Sequence, residues 1–215
     1  HYRDQWAKAF DVKYEGESGE QKYVHQTTYG MSERLLGATV ATHGDDKGLI
    51  MPPSIAPIQV VVIPILSKDG SDEIMSAAQK IVQELKSQKI RVKLDDRDIR
   101  PGQKYYDWEI KGVPLRIELG PRDLQSNSFM CARRTGEKSS CSLDELLSSV
   151  RKELDLVDKH MKENAKSHFN NHIKKLPNLK ITGSNISLEE DLEDGYVYEM
   201  AFNGNDAEAE MIEKE

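Results

Sequence analysis

The sequence predicts a multidomain chain of α/β and α+β class, and three observations carry that expectation. Two alternating apolar–polar runs, Phe10 to Tyr14 and Lys22 to Thr28, flank a turn-like stretch from Gly16 to Gln21. That is the pattern of an antiparallel hairpin with one face on a core. After Pro57 the alternation gives way to IQVVVIPIL, a continuous β-branched run of the kind found in a strand covered on both faces. Between the two patterns stands Pro52-Pro53, a natural boundary because proline offers no N–H to a helix or a ladder.

The elements follow in order. Gly30 ends the second alternating run, and Ser32 is a fitting N-cap for a helix running to about His43, where Gly44 stops it. GDDKGLIMPP then brings the chain back through a turn and a short strand. His43, Asp45 and Asp46 in that segment suggest metal or acid–base chemistry. Adjacent carboxylates in a turn cannot both face one ion well, so the segment reads as a solvated turn. In DEIMSAAQKIVQELKSQ the apolar positions Ile74, Ala77, Ala78, Ile81, Val82 and Leu85 keep the spacing of an amphipathic helix. A strand at IRVKLDD, a short helix at KYYDWEIKG and a strand at VPLRIELG come next. SFMCARR and the segment near Cys141 complete the sheet of a small α/β domain. From Leu143, capped by Ser142, a long helical segment runs to about Lys175. An acidic region follows, with weak strand signals at Lys180-Ile181 and Tyr196 to Phe202.

Composition narrows the possible functions. Of the 215 residues 37% are hydrophobic, enough for globular cores and against wholesale disorder. The longest apolar run, around Val60 to Leu66, falls well short of the ~20 residues a membrane span needs. Cys131 and Cys141 make neither a disulfide framework nor a metal cluster, which points to a reducing, cytoplasmic setting with no membrane partner. The chain opens on His1 without a signal peptide and reads as the second half of something longer. Its net charge of -7 argues against non-specific binding to nucleic acid. That average conceals a gradient: residues 1–87 carry a net of -3, residues 88–138 a net of +4 and residues 139–215 a net of -8. Only the middle third has a cationic surplus that could meet phosphates.

One pair needs a reason. Glu33-Arg34 follows a strand-like run directly and precedes an apolar segment with no polar face. An exposed ion pair worth under ~1 kcal/mol is the plain reading.

The wording around it carries a resemblance. VHQTTYG with MSERLLGATVATHGDDKGLIMPP resembles the third signature motif of class II aminoacyl-tRNA synthetases. APIQVVVIPIL, LDDRDIRPGQKYYDWEIKGVPLRIELGPRD and ARRTGEK are similar to the anticodon-binding domain of prolyl-tRNA synthetases, most of all the archaeal and eukaryotic type. The similarity is near-continuous from Ala7 to Lys138 and weak beyond. Histidyl, threonyl and glycyl enzymes share the layout but not the wording of HQTTYG or WEIKGVPLRIELGPRD.

The resemblance implies three parts. Residues 1–53 would be the tail of a class II antiparallel-sheet catalytic domain. Residues 54–141 would be an α/β anticodon-binding domain with a mixed five-stranded sheet, and 142–215 a small α/β C-terminal domain. It implies a homodimeric enzyme that activates proline with ATP and Mg2+ and transfers it to tRNA(Pro), with motifs 1 and 2 lying outside these 215 residues. Arg34 would contact ATP phosphate, where a permanently charged guanidinium can offset developing negative charge. Gln26, Thr27, Thr28 and Gly30 would line the proline and adenylate pocket. Glycine there tolerates unusual φ and lets a ligand approach the backbone. Ordinary strand residues remain the other reading of the two threonines.

His1 stands where the family has a His-x-x-Gly-x-Asn-Phe stretch, but His1-Tyr2-Arg3-Asp4-Gln5-Trp6 lacks the Gly and is one residue short. A terminal residue without a role fits it equally. Glu109, Arg116, Arg122 and Lys138 fall where prolyl enzymes read the guanines of the anticodon. Arg can bond guanine O6 and N7, and Glu can accept from N1 and N2. Plain strand-face charges are the alternative. Trp108, Tyr105 and Tyr106 read as core residues. The family's C-terminal domain usually holds zinc on cysteines, first in a Cys-x4-Cys segment. Asn203 and Glu208 occupy those places, and the chain ends before a second pair, so no structural zinc and no other metal site is expected. Two further readings stay open, a non-catalytic tRNA-binding paralogue and a sister glycyl or threonyl enzyme.

Overall fold

The computed structural model describes residues 1–66, 71–176, 180–182, 185–187 and 192–200. Two compact units divide the chain, His1–Ala41 and Thr42–Glu215.

In the first unit Gln5–Ala9 form α1, and Lys13–Glu15 (β1) pairs antiparallel with Gln21–Tyr23 (β2), Tyr14 opposite Lys22. The hairpin arises where the alternation places it, but β1 is fully exposed and β2 nearly so rather than set on a core. Its first strand also starts later than expected. Phe10 ends α1 and stacks on Trp6 one turn back, with ring centroids 5.9 Å apart, so it is unavailable to the ladder. An Asp4–Lys8 ion pair of 2.9 Å on the same short helix adds an i,i+4 contact. The run through Thr28 makes only a single bridge beyond β2, between Gln26 and Arg3. Arg34–His43 form α2, which begins two residues after Ser32; Leu35 N–H bonds the Ser32 carbonyl at 3.1 Å.

In the second unit the segment from Asp45 to Gly48 is the exposed turn expected, with Asp45, Asp46 and Lys47 open to solvent, but it is also fastened from the protein side. The Arg134 guanidinium, with a side chain only 2% exposed, bonds both Asp45 carboxylate oxygens and the Glu109 carbonyl. That bond holds the Asp45 carboxyl down to about 2. The expected short strand after it does not form. The chain runs extended instead against the end of a helix, Leu49 N–H bonding the Ile110 carbonyl at 3.1 Å and Met51 N–H the Gly112 carbonyl at 3.2 Å. Close approach dictates glycine on both sides: a Cβ on Gly48 (φ 127) would meet the Ile110 backbone at 2.6 Å, and one on Gly112 (φ 69) would meet Leu49 at 2.7 Å. Arg91 fastens the proline segment by bonding the carbonyls of Pro53, Ser54 and Ala56. Packing therefore divides the chain at Ala41, ahead of Pro52-Pro53.

Five strands build the sheet: Val60–Pro64 (β3), Val92–Leu94 (β4), Leu115–Leu119 (β5), Ser128–Arg133 (β6) and Lys138–Ser142 (β7). Their order is β4-β3-β5-β6-β7, with β3 parallel to both neighbours and the last two pairings antiparallel, so the sheet is mixed. Ser71–Ser87 (α3), Pro101–Ile110 (α4) and the short Pro121–Gln125 (α5) connect them. The β-branched run is explained by two cores. Val60 and Val62 join Leu115, Ile117, Leu119 and Phe129 beneath α3 and a long C-terminal helix. Val61 and Ile63 point the other way, against Trp108 and Val113.

That long helix is Leu146–Asn171 (α6), entered through a 3-10 turn in which Ser142 Oγ accepts from Asp144 N–H at 3.3 Å. Leu146, Val150, Leu154, Val157 and Met161 form its buried stripe. It stops four residues before Lys175, because Ile173–Leu176 (β8) pairs in parallel with Val197–Met200 (β11). Lys180–Thr182 (β9) pairs antiparallel with Asn185–Ser187 (β10). Asn203 and Glu208 lie outside the described residues.

Asp95, directly after the edge strand β4, gathers polar partners around its buried carboxylate. It is 2% exposed and accepts from Arg97 Nε and Nη2 at 2.9 and 2.7 Å and from Trp108 Nε1 at 2.7 Å. Lys104 Nζ, also buried, bonds its carbonyl at 3.0 Å. Burial pushes the carboxyl up, but the Arg97 and Trp108 bonds outweigh it and hold the group at about 2 against an ordinary 3.8. A folded value below the unfolded one gives stability that is complete above about pH 4 and is lost as pH falls toward 2. Asp95→Asn is expected to lower stability at pH 7 by roughly 2 kcal/mol in urea denaturation. The gap between the two proteins should close between pH 4 and pH 2.

Candidate nucleic-acid interface

The alternation of β5 creates this site. Leu115, Ile117 and Leu119 enter one core, which forces Arg116 and Glu118 onto the opposite face. There they continue the row of Val61 and Ile63, their register partners on β3. On the other side Arg116 faces Ala132, which faces Lys138, so a small residue separates two cations on one face. Above this face α4 presents Tyr105, Trp108 and Glu109 at i, i+3, i+4 spacing. Trp108 fills the core, Tyr105 packs against it partly buried, and Glu109 stays at the rim.

The side chains form one network. Arg116 Nε donates to Glu118 Oε1 at 2.9 Å, and Nη1 donates to Glu109 Oε1 at 3.3 Å. Lys138 Nζ donates to the same Glu118 carboxylate at 3.1 and 3.4 Å. The Arg116 guanidinium lies 4.1 Å over the Tyr105 ring, with Lys138 Nζ at 5.8 Å. Burial, and after it the Glu118 charge, pushes the Tyr105 hydroxyl up to about 12. Exposure grades outward: the side chains of Glu118 and Arg116 are 10% and 11% exposed, Glu109 31% and Lys138 53%. Two cations against two carboxylates leave the array formally neutral. Such a site offers oriented donors and acceptors to a base edge more than a field to phosphates.

The structure thus brings Glu109, Arg116 and Lys138 together. It does not bring Arg122 to them: that residue is exposed on α5, with no side-chain hydrogen bond or ion pair among the described residues. Glu118 and Tyr105 were missed as site residues. The signal for Glu118 was present, since two residues beyond Arg116 on a strand is the same face.

The remaining candidates belong to the first unit. Tyr2 N–H bonds the Gln26 carbonyl at 3.0 Å and Gln26 N–H the Arg3 carbonyl at 2.9 Å, which draws His1 alongside, its ring 6.2 Å from His25. Gln26 and Thr28 line a groove of about 380 Å³ with Tyr2, Trp6 and Phe10; Thr27 lines another of about 450 Å³ with Val24 and His25. Gly30 has no positive φ, and a Cβ there would meet open space, so its backbone does not require glycine. Arg34 opens α2, exposed, without a side-chain hydrogen bond or ion pair among the described residues. Neither groove includes it.

Among the described residues no group of three or more His, Cys, Asp or Glu is placed to hold a metal ion, and no helix is long and apolar enough to cross a membrane.

Residues 59–153 match the anticodon binding domain family. Proline--tRNA ligase of Thermococcus kodakarensis is 50% identical over 181 residues, covering 84% of this chain and 38% of its own. Those of Methanosarcina mazei and Pyrococcus abyssi are 51% and 48% identical, over 80% and 84% of this chain and 36% and 38% of theirs. This chain therefore spans little more than a third of the relatives it matches. It matches the C-terminal portion of prolyl-tRNA synthetases, anticodon-binding domain included.

Proposed function

We propose that this chain is the part of a proline--tRNA ligase that reads the anticodon of tRNA(Pro) and completes the adenylation site. The observation that carries the reading is the Glu109–Arg116–Lys138 array gathered over Tyr105 on the α4 face of the sheet. An unstacked guanine presents O6 and N7 acceptors and N1 and N2 donors. Arg116, which spends Nε and Nη1 on carboxylates, keeps Nη2 for an acceptor, and Lys138, half exposed, keeps the rest of its protons. Glu109, at the rim, can turn from Arg116 to the base's own donors, since its 3.3 Å bond is longer than the 2.9 Å bond Arg116 makes to Glu118. Arg122, exposed and without a side-chain partner among the described residues, suits a neighbouring phosphate or base.

In the first unit Arg34 has the same availability. Its guanidinium is exposed with no protein partner among the described residues, so its donors remain for the phosphates of ATP during adenylation. Gln26, Thr27, Thr28 and Gly30, with His1 beside them, are read as the proline side of that site. Magnesium would serve the ATP phosphates, and among the described residues no group of three or more His, Cys, Asp or Glu is placed to hold it. The partition into a catalytic tail at 1–53, an anticodon domain at 54–141 and a C-terminal domain at 142–215 belongs to this proposal. So do homodimerisation and a cytoplasmic setting. A paralogue that binds tRNA without activating an amino acid is the other reading. The intact HQTTYG and SER-R wording favours the enzyme, because a protein that activates no amino acid has no need to hold Arg34 in that motif.

The tests use the full-length protein. Proline alone among the twenty amino acids is expected to drive ATP–pyrophosphate exchange; exchange with glycine or threonine would contradict the assignment, and none at all would favour the paralogue. Arg34→Ala should reduce exchange by roughly 100-fold, the loss typical of a removed transition-state donor, with tRNA affinity within about twofold of the parent. Arg116→Ala should show the reverse pattern in aminoacylation kinetics, raising the KM for tRNA(Pro) by roughly 10-fold or more.

A further inference from the structure

Glu118 has no role in the reading above, yet it is the most covered charge in the array. A carboxylate on a side chain only 10% exposed, on the face of a strand, is costly unless partnered. Its partners are the two cations of the proposed reading site. Arg116 Nε reaches Oε1 at 2.9 Å, and Lys138 Nζ reaches Oε1 at 3.1 Å and Oε2 at 3.4 Å. The two cations come from different strands, β5 and β7, with β6 between them. Left to themselves, like charges that close would separate, and the exposed lysine would swing into solvent. A shared carboxylate beneath them prevents both.

Geometry adds a second function to the bridge. By engaging Nε, Glu118 fixes the plane of the guanidinium over the Tyr105 ring at 4.1 Å, and so sets the direction in which the outer nitrogens point. Arginine that is free to rotate can satisfy an adenine N7 or a phosphate as readily as a guanine edge. One whose fork is held in a single plane cannot.

The geometry points to Glu118 as a positioning residue: it holds Arg116 and Lys138 at a set spacing, so that together they select the O6/N7 edge of an unstacked guanine over adenine. This rests on the reading of Arg116 and Lys138 as anticodon contacts. Glu118 touches no base itself.

The test is aminoacylation by the full-length enzyme, with transcripts of tRNA(Pro) carrying the natural anticodon or one anticodon guanine changed to adenine. Glu118→Gln keeps the shape but turns one oxygen into an amide donor facing a cation, so both partners cannot be held. It is expected to raise the KM for the natural tRNA at least 10-fold with kcat within twofold, and to shrink the guanine-over-adenine preference by a similar factor. Because Glu118 acts through Arg116 as well as Lys138, the Glu118→Gln, Arg116→Ala double variant should lose clearly less than the product of the two single losses. A general structural role would instead make the two losses multiply and leave the base preference intact, and that result overturns the inference. Should the glutamine variant fail to fold, Lys138→Met at the exposed end of the bridge replaces it. Its effect and that of Arg116→Ala should then be coupled, the double variant losing less than the product; independent losses overturn the inference. If Arg116→Ala itself leaves KM and base preference unchanged, the anticodon reading fails together with it. If Arg116→Ala has its effect while Glu118→Gln has none, only the positioning role fails.

Discussion

A carboxylate shared by two cations in a place nearly closed to water organises the functional face of this molecule. Glu118 is there because a strand alternates. With Leu115, Ile117 and Leu119 committed to the core beneath α3 and α6, positions 116 and 118 must face α4. Polar groups at those positions need partners, and each supplies the other's. Lys138 enters through the register of β6 and β7, and Tyr105 through the turn of α4 that also sinks Trp108 into the second core. No loop is needed to assemble the array, so its geometry inherits the rigidity of the sheet.

The same logic explains what supports that face from behind. Asp95 anchors Arg97, Trp108 and Lys104, fixing α4 at one end. Arg134 ties the other end of α4 to the turn at Asp45 and to the glycine-lined approach of Leu49. On the far side, the Arg133–Glu153 pair at 3.2 Å and the bond from Ser139 Oγ to Glu153 dock α6 beside its apolar stripe. The ion pairs among these, Asp95–Arg97, Asp45–Arg134 and Arg133–Glu153, cost desolvation and return orientation. The helix carrying Tyr105 and Glu109 is held at both ends.

Much of this was legible in the residues. The β-branched run, the amphipathic spacing of α3 and the four later strands of the sheet are strong signals, and all formed. Arg116 and Lys138 were singled out, and the sheet put them on one face. What escaped was decided by tertiary contacts that no local pattern records. Phe10 alternates like a strand residue but stacks on Trp6. Ile173 extends a helical pattern but pairs with Val197. Asp45 has turn-like neighbours but meets an arginine 89 positions away. Glu118 was overlooked for a different reason: a charged residue on a strand reads as solvent-facing, and only the presence of α4 above it says otherwise. Arg34 and Arg122 are the converse, exposed cations without side-chain partners among the described residues.

The central claim is that Arg116 meets a base edge and not a phosphate, and ionic strength separates the two most directly. Binding of tRNA(Pro) to the full-length enzyme and its Arg116→Ala variant can be followed from about 50 to 200 mM salt, where each phosphate neutralised on a single strand adds about 0.7 to the slope of log affinity against log salt. The account predicts a constant loss of affinity across that range, with parallel slopes. A variant slope shallower by about 0.7 would show that the guanidinium had been holding a phosphate, and the account would be contradicted.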